Sequence, residues 1–449
     1  MRNIDAKLIE DTVARLCIEA NLRLPDDVIA AIKAAENNEP WANARRSLSL
    51  LSENVRLAEE KTLPVCQDTG MACVFLRIGQ DVHIEGDLTC AVNAGVRRGY
   101  GEGYLRKSVV HDPLRRVNTE DNTPALLSVE LTAGDKIGVT VMPKGFGSEN
   151  MSALKMLKPA DGVEGVKKFV LDTVEAAGAN PCPPIIVGIG IGGSFDKAAY
   201  LAKHALLRRL DEKNPDEFYA EIESELLERI NSLGIGPQGF GGKTTALGVA
   251  IETMPTHVAG LPVAVNIINV PASDAQLKKL RAGDSVLLSG TVYTARDAAH
   301  KRICEALDRG EELPFDLRGS AVYYVGPTPE HDGCCIGSAG PTTSGRMDAY
   351  APRLLDMGLR IMIGKGDRNS AVVDAMVRNG AAYLAAMGGA GALMAASVET
   401  AELVCWEDLG CEAVRRLTVR DMPLTVAIDS DGNDLYKLGR AEYLKEAEK

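Results

Sequence analysis

One cysteine in this chain has almost no conformational choice. Cys182 stands in Asn180-Pro181-Cys182-Pro183-Pro184, where prolines on both sides fix the backbone and forbid helix. A thiol held this way has a rigid direction, as a ligand needs. A second cysteine ends a short extended run, Leu63-Pro64-Val65-Cys66-Gln67-Asp68-Thr69-Gly70. Thiolates suit iron or zinc, and an amide and a carboxylate beside one can orient a polar substrate and move a proton. A single such cysteine reads as a small buried apolar residue. Three further polar, glycine-bounded stretches change that reading: Arg106-Lys107-Ser108, the run 144–150 around Gly145, Phe146 and Gly147, and the run 337–346 that ends in Thr342-Thr343-Ser344-Gly345-Arg346.

A chain of 449 residues supports two or three domains with sizeable cores. Fifty Lys and Arg against 62 Asp and Glu leave a net charge of −12, which argues against a nucleic-acid surface and against general attraction to anionic membranes. An anionic substrate then needs a local basic pocket. With no charged-then-apolar leader and no apolar run near 20 residues, neither a signal peptide nor a membrane span is read. Ten cysteines in such a chain favour reduced thiols, some of them ligands, over a disulfide framework.

Apolar spacing predicts helices over 3–60, with a restart at Pro25-Asp26-Asp27, and strands over 72–78 and 82–84. Residues 90–108 read as a helix ending near Arg106. Strands over 126–132 and 136–142 read as a hairpin turned at Ala133-Gly134-Asp135, and 148–177 as mostly helical. The strand from Ile185 enters Gly188-Ile189-Gly190-Ile191-Gly192-Gly193, a dinucleotide-type glycine pattern whose second parallel strand is not evident. The run 236–245 resembles a phosphate loop, but Pro237 stands where its first glycine belongs. A domain boundary falls near 272–282, after which strands and helices alternate in a smaller α/β domain of about 165 residues, its first helix capped by Thr294.

Together these stretches resemble the class I fumarate hydratases and the related tartrate dehydratases, which are iron–sulfur hydro-lyases. The match covers nearly the whole chain and includes LPVCQDTG (63–70), DNTPA (121–125), MPKGFGSENMS (142–152), NPCPP (180–184), PTHVAGLPVAVNI (255–267), LLSGTVYTARDAAHKR (287–302) and IGSAGPTTSGRMDAY (336–350). The resemblance implies an α/β (α+β) fold: an α-type domain over 1–275 that binds the cluster, and a swivelling β/β/α-type domain over 280–449 that carries the catalytic loop. The two parts are fused here. It also implies a homodimer, a cytoplasmic and oxygen-sensitive enzyme, and a small dicarboxylate substrate. Fumarate with (S)-malate comes first, and tartrate or a methylated C4 dicarboxylate next.

The same resemblance implies a [4Fe–4S] cluster on three cysteines with one iron open. Two ligands map to Cys66 and Cys182. The third position holds Asn269, a hard neutral donor and a poor substitute for thiolate. Three outcomes stay open. Cys334 or Cys335 supplies the missing thiolate; two thiolates with Asn269 or water hold a labile cluster; or the chain uses another metal or has lost the activity. By resemblance Arg106, Arg296, Arg346 and Lys365 bind the carboxylates, Gln67 and Asp68 contact substrate near the metal, and His257 contacts or polarises it. Gly145 and Gly147 present backbone N–H groups, with Phe146 bulkier there than the small residue the pattern implies. Thr342 is the base.

Overall fold

In the computed structural model, which describes residues 1–269, 281–330 and 333–447, the N-terminal helices lie where apolar spacing puts them: Ala6–Leu22, Asp26–Asn38 and Ala42–Lys61. Asp5 caps the first by accepting from the Lys7 N–H. Ahead of it a strand, β1 (Arg2–Asp5), pairs in parallel with β3 (Val82–Glu85). Between them in sequence, β2 (Met71–Gly79) is a nearly continuous buried apolar run, as a strand covered on both faces is. It takes β4 (Leu126–Thr132) in parallel and β5 (Ile137–Lys144) in antiparallel register. The predicted hairpin is therefore not formed, because β2 lies between its two arms. The turn at 133–135 instead covers the end of β2, with Asp81 N–H donating to Gly134 O at 2.9 Å. The helix Leu88–Glu102 also stops short of Arg106, which leaves that arginine on a non-helical segment.

The stretch 148–177 is mostly helical, as its pattern predicts, but not throughout. It contains the strand β6 (Ala153–Leu157) before the helix Gly162–Ala177. A second sheet joins β6 to β7 (Ile185–Gly192), β8 (Ala246–Met254) and β9 (Leu261–Asn269) in the order β6-β9-β7-β8. A strand parallel to the glycine-rich β7 does follow, namely β8. Yet Gly188 and Gly190 lie inside β7, where an added Cβ would come 2.1 Å from the carbonyl oxygens of Ala202 and Ala198. Those glycines let the helix Phe195–Ala205 lie flat on the sheet and open no phosphate turn. The phosphate-loop-like run is also satisfied internally. The buried Glu39 carboxylate accepts the N–H groups of Lys243 and Thr244 at 2.9 Å each, and of Trp41 at 3.3 Å.

In the C-terminal part, β10 (Ser285–Thr294), β11 (Ala321–Tyr323), β12 (Ile361–Gly364), β13 (Ala382–Ala385), β14 (Val398–Cys405) and β15 (Val414–Ile428) form a sheet ordered β10-β11-β12-β13-β15-β14. The long β15 also pairs back onto β10, so the sheet curls closed. The following helix starts at Asp297 with Arg296 at its N-cap. Thr294 is the last strand residue and bonds Ala413 and Arg415 instead of capping.

Three main cores result. One lies under β2 and the first helix, and one under β7, β8 and β9. The largest belongs to the C-terminal sheet but also takes in Ile32, Leu48, Leu51, Leu63 and Val65 from the N-terminal third. The last helix, Leu435–Ala447, returns to the first half, where Tyr436 meets Phe240 and Tyr443 meets Trp41. The two halves are thus interleaved, and the sequence boundary near 272–282 falls mostly outside the described residues. Glu39→Ala leaves three N–H groups without their acceptor, the buried one of Thr244 among them, and is expected to destabilise the chain by roughly 2 kcal/mol, read as a lower urea midpoint. An unchanged midpoint contradicts the structural role given to Glu39.

Candidate active site

The site is built where the turn after Leu63 meets the C-terminal loops. Val65 N–H donates to Asn21 O, and Asn54 Nδ2 donates to Val65 O, so the backbone leading into Cys66 is fixed by two helices. Gln67 is buried and donates from Nε2 to Pro341 O at 3.0 Å. Ser338 Oγ donates to Pro64 O. Two contacts with no tolerance for a side chain hold this seam: a Cβ on Gly340 would lie 2.1 Å from Gln67 Oε1, and one on Gly391 would lie 2.6 Å from Gln67 N.

Asp68 is the electrostatic centre. Its Oδ1 meets Arg106 Nη2 at 2.8 Å, and its Oδ2 accepts the Phe146 N–H at 3.0 Å. Burial alone would raise its pKa. Arg106, Lys365, the Phe146 N–H and Arg296 outweigh burial and hold the carboxyl below its ordinary range. Arg106 is itself fixed: Nη1 donates to Gly326 O at 3.1 Å and Nε to Ser108 Oγ at 3.1 Å. Its segment is tied down by Asn122, whose Oδ1 accepts from Ser108 and Val109 and whose Nδ2 donates to Gly70 O. Gly145 lies against Asp68 and Gly147 against Lys365; Cβ atoms there would sit 3.2 and 3.3 Å from Asp68 Oδ2 and Lys365 Nζ. Phe146 contributes its backbone N–H to Asp68 and is 44% exposed.

Lys365 joins both cysteines to this group. Its Nζ lies 2.9 Å from Cys182 Sγ. Burial opposes its charge, but Cys182, Cys66 and Asp68 outweigh burial and raise its pKa. Burial, with Asp68 nearby, pushes the Cys66 thiol up to about 11. Across the seam, Arg296 is buried and paired with Glu412 at 3.1 Å. Arg346 lies 2.7 Å from Asp297, and its Nη1 donates to Thr342 Oγ1 at 3.4 Å. Pro341 and Thr342 bring this group to Gln67. The structure therefore gathers Cys66, Gln67, Asp68, Arg106, Gly145, Gly147, Cys182, Arg296, Thr342, Arg346 and Lys365.

Other predicted residues are not gathered. His257 is exposed in the turn after β8. That turn meets the Gly193 end of β7, whereas Cys182 precedes its other end, about 23 Å of strand away. Cys335 donates to Val398 O at 3.4 Å and lines a cavity of about 750 Å³ shared with Arg106, Lys107 and Cys411. Asn269 pairs with Ile185 across β9 and β7, so it does lie at the Cys182 end of that sheet. Among the described residues no three His, Cys, Asp or Glu side chains gather to hold a metal. Two thiols, Cys66 and Cys182, lie near Lys365 with no third described cysteine gathered to them, which does not fit a three-thiolate cluster.

Sequence reasoning missed Lys144, Glu149, Asn122, Asp297 and Glu412. Lys144 is 1% exposed and lies 3.1 Å from Glu149; it holds the 145–147 turn from beneath by donating to Ile267 O and Ser148 Oγ. Burial would raise the pKa of Glu149, but Lys144, Lys203 and Asn266 outweigh it and bring the value down to about 2. The stability this depressed carboxyl contributes is present above its ordinary value of 4.5 and is lost as pH falls through about 2. Glu149→Gln is therefore expected to cost roughly 2–3 kcal/mol at pH 7, with the gap from wild type closing as the pH is lowered over that window. A gap that does not change with pH contradicts the ion-pair account.

Comparison with known proteins gives the family. Residues 10–270 match the family model described as Fumarate hydratase (Fumerase), and residues 250–439 match the one described as Fumarase C-terminus. A putative L(+)-tartrate dehydratase subunit alpha of Methanocaldococcus jannaschii is 46% identical over 266 residues, 58% of this chain and 93% of that protein. An aerobic class I fumarate hydratase of Salmonella typhimurium is 31% identical over 472 residues, 92% of this chain and 80% of its own length. A putative class I fumarate hydratase of Geobacillus stearothermophilus is 28% identical across 95% of both chains. The chain belongs to the class I fumarate hydratase family, with both of the family's parts in one polypeptide, and is a hydro-lyase of small dicarboxylates.

Proposed function

We propose that this chain reversibly hydrates an unsaturated C4 dicarboxylate, fumarate to (S)-malate first, with tartrate or a methylated analogue as the alternative substrate. One observation carries the reading. Four cations, Arg106, Arg296, Arg346 and Lys365, meet beside an ionised carboxylate and a threonine hydroxyl at a single seam. Guanidinium groups bind carboxylates in two-point geometry. The buried Arg296 Nε has no hydrogen-bond partner, and a buried donor left unpaired is costly, so a substrate carboxylate would relieve it. Thr342, beside Arg346, exchanges the proton at one substrate carbon, since an adjacent cation stabilises the alkoxide that a hydroxyl base requires. Asp68 faces the hydroxyl at the neighbouring carbon.

The relatives' family is iron–sulfur dependent, but two thiols and Asn269 support a labile or incomplete metal site in this chain. That donor set also favours a second reading, a paralogue that uses another metal or binds a dicarboxylate without turnover. A homodimer in the cytoplasm completes the proposal. The exposed Phe195, Met254 and Val258 around the His257 turn give it an apolar surface, and His257 could serve a pocket only from a second copy.

Protein purified without oxygen is expected to convert fumarate to malate. Thr342→Ala should lower kcat by roughly 100-fold or more with metal content unchanged, whereas Cys182→Ser should lose metal and turnover together. Equal metal loss in both undoes these roles, and no turnover of any of the three substrates by wild type favours the second reading. Asn269→Cys is expected to raise iron and acid-labile sulfide retention. Full cluster content in the wild type, unaltered by Asn269→Cys, contradicts the claim that the third donor is missing.

A further inference from the structure

Asp297 places a negative charge where an anionic substrate should meet none. It lies in the first turn of the helix Asp297–Asp308, a position that ordinarily serves the helix dipole. Its side chain does something else. The carboxylate is 2.7 Å from Arg346 and 3.9 Å from Arg296 Nε, and it stands between these two guanidinium groups. Burial opposes its charge, but Arg346 and Arg296 outweigh burial and keep the carboxyl ionised.

The two arginines do not depend on Asp297 equally. Arg296 is buried and held from another side by Glu412 at 3.1 Å, whose second oxygen accepts the Ala298 N–H at 3.2 Å. Arg346 is 42% exposed on its side chain, and among the described residues its one ion pair is with Asp297. Its other guanidinium nitrogen, Nη1, reaches Thr342 Oγ1 at 3.4 Å. An exposed arginine left to itself samples many rotamers, and a carboxylate at one end of its fork removes that freedom. The line of contacts runs Asp297, Arg346, Thr342.

We propose that Asp297 is a positioning residue: it fixes Arg346 so that one nitrogen stays beside the Thr342 hydroxyl, and it thereby governs proton transfer at that hydroxyl more than substrate affinity. This rests on the hydration reading above. It distinguishes Asp297 from Glu412, which holds Arg296 and acts on carboxylate binding.

The test is steady-state hydration of fumarate by wild type, Asp297→Asn and Asp297→Glu, with exchange of solvent deuterium into the substrate carbon followed in parallel. Asp297→Asn is expected to lower kcat by roughly 10- to 100-fold, a part of what a positioned general base contributes, to lower deuterium exchange in proportion and to leave KM little changed. Asp297→Glu should recover part of the loss, because it keeps the charge. A raised KM with kcat intact, or unchanged constants in Asp297→Asn, overturns the proposal. Wild type without any turnover would sink the functional reading separately. The positioning role would then be judged by nuclear magnetic resonance of the Arg346 Nε–H: slower hydrogen exchange in wild type than in Asp297→Asn supports it, and equal exchange overturns it.

Discussion

Everything at this site depends on two loops lying against each other with the Gln67 side chain packed between them. Gln67 reaches into the backbone at Pro341, and Gly340 and Gly391 leave only enough space for it. A protein interior is packed closely enough that one extra methyl group in such a contact forces a shift. Cys66 and Asp68 flank Gln67, and Thr342 follows Pro341. The seam therefore sets the separation of the thiol and carboxylate on one side from the hydroxyl on the other. The two halves of the chain meet there through their cores as well, since Leu63 and Val65 pack within the C-terminal core.

Charge is the second constraint. Asp68, Arg106, Arg296 and Lys365 are all removed from water to a large extent, and removing a charge from water costs several kcal/mol unless it is paired. Each has a partner: Asp68 with Arg106, Arg296 with Glu412, Lys365 with Cys182. The four cations outnumber the carboxylates Asp68, Asp297 and Glu412, which leaves a local positive excess for an anionic ligand. It also explains how a chain with a net charge of −12 can attract one: the attraction is local, and the rest of the surface is not involved.

Much of this was legible from residue order, and the parts that were not have physical causes. The glycine-bounded polar stretches marked the loops that meet, because few other features combine a thiol or arginine with backbone forced out of helix. The apolar runs located most strands. Their partners were another matter: β4 and β5 look like a hairpin because the turn between them is short, whereas in the structure β2 lies between them and pairs with both. Lys144, Glu149 and Asp297 read as ordinary charged residues. Their roles come from burial and from partners distant in sequence, such as Asn266 for Glu149 and Arg346 for Asp297. His257 shows the converse. Its motif associates it with the site, while one chain places it at the far end of the sheet.

The central claim is that the seam between the two halves binds a C4 dicarboxylate through its four cations. The most direct measurement is a crystal structure with succinate, which has the two carboxylates but no double bond to hydrate. The account predicts succinate in the seam, with its carboxylates on Arg106, Arg296, Arg346 or Lys365 and its central carbons between Asp68 and Thr342. Succinate bound elsewhere, or a seam that excludes it at saturating concentration, would contradict the account.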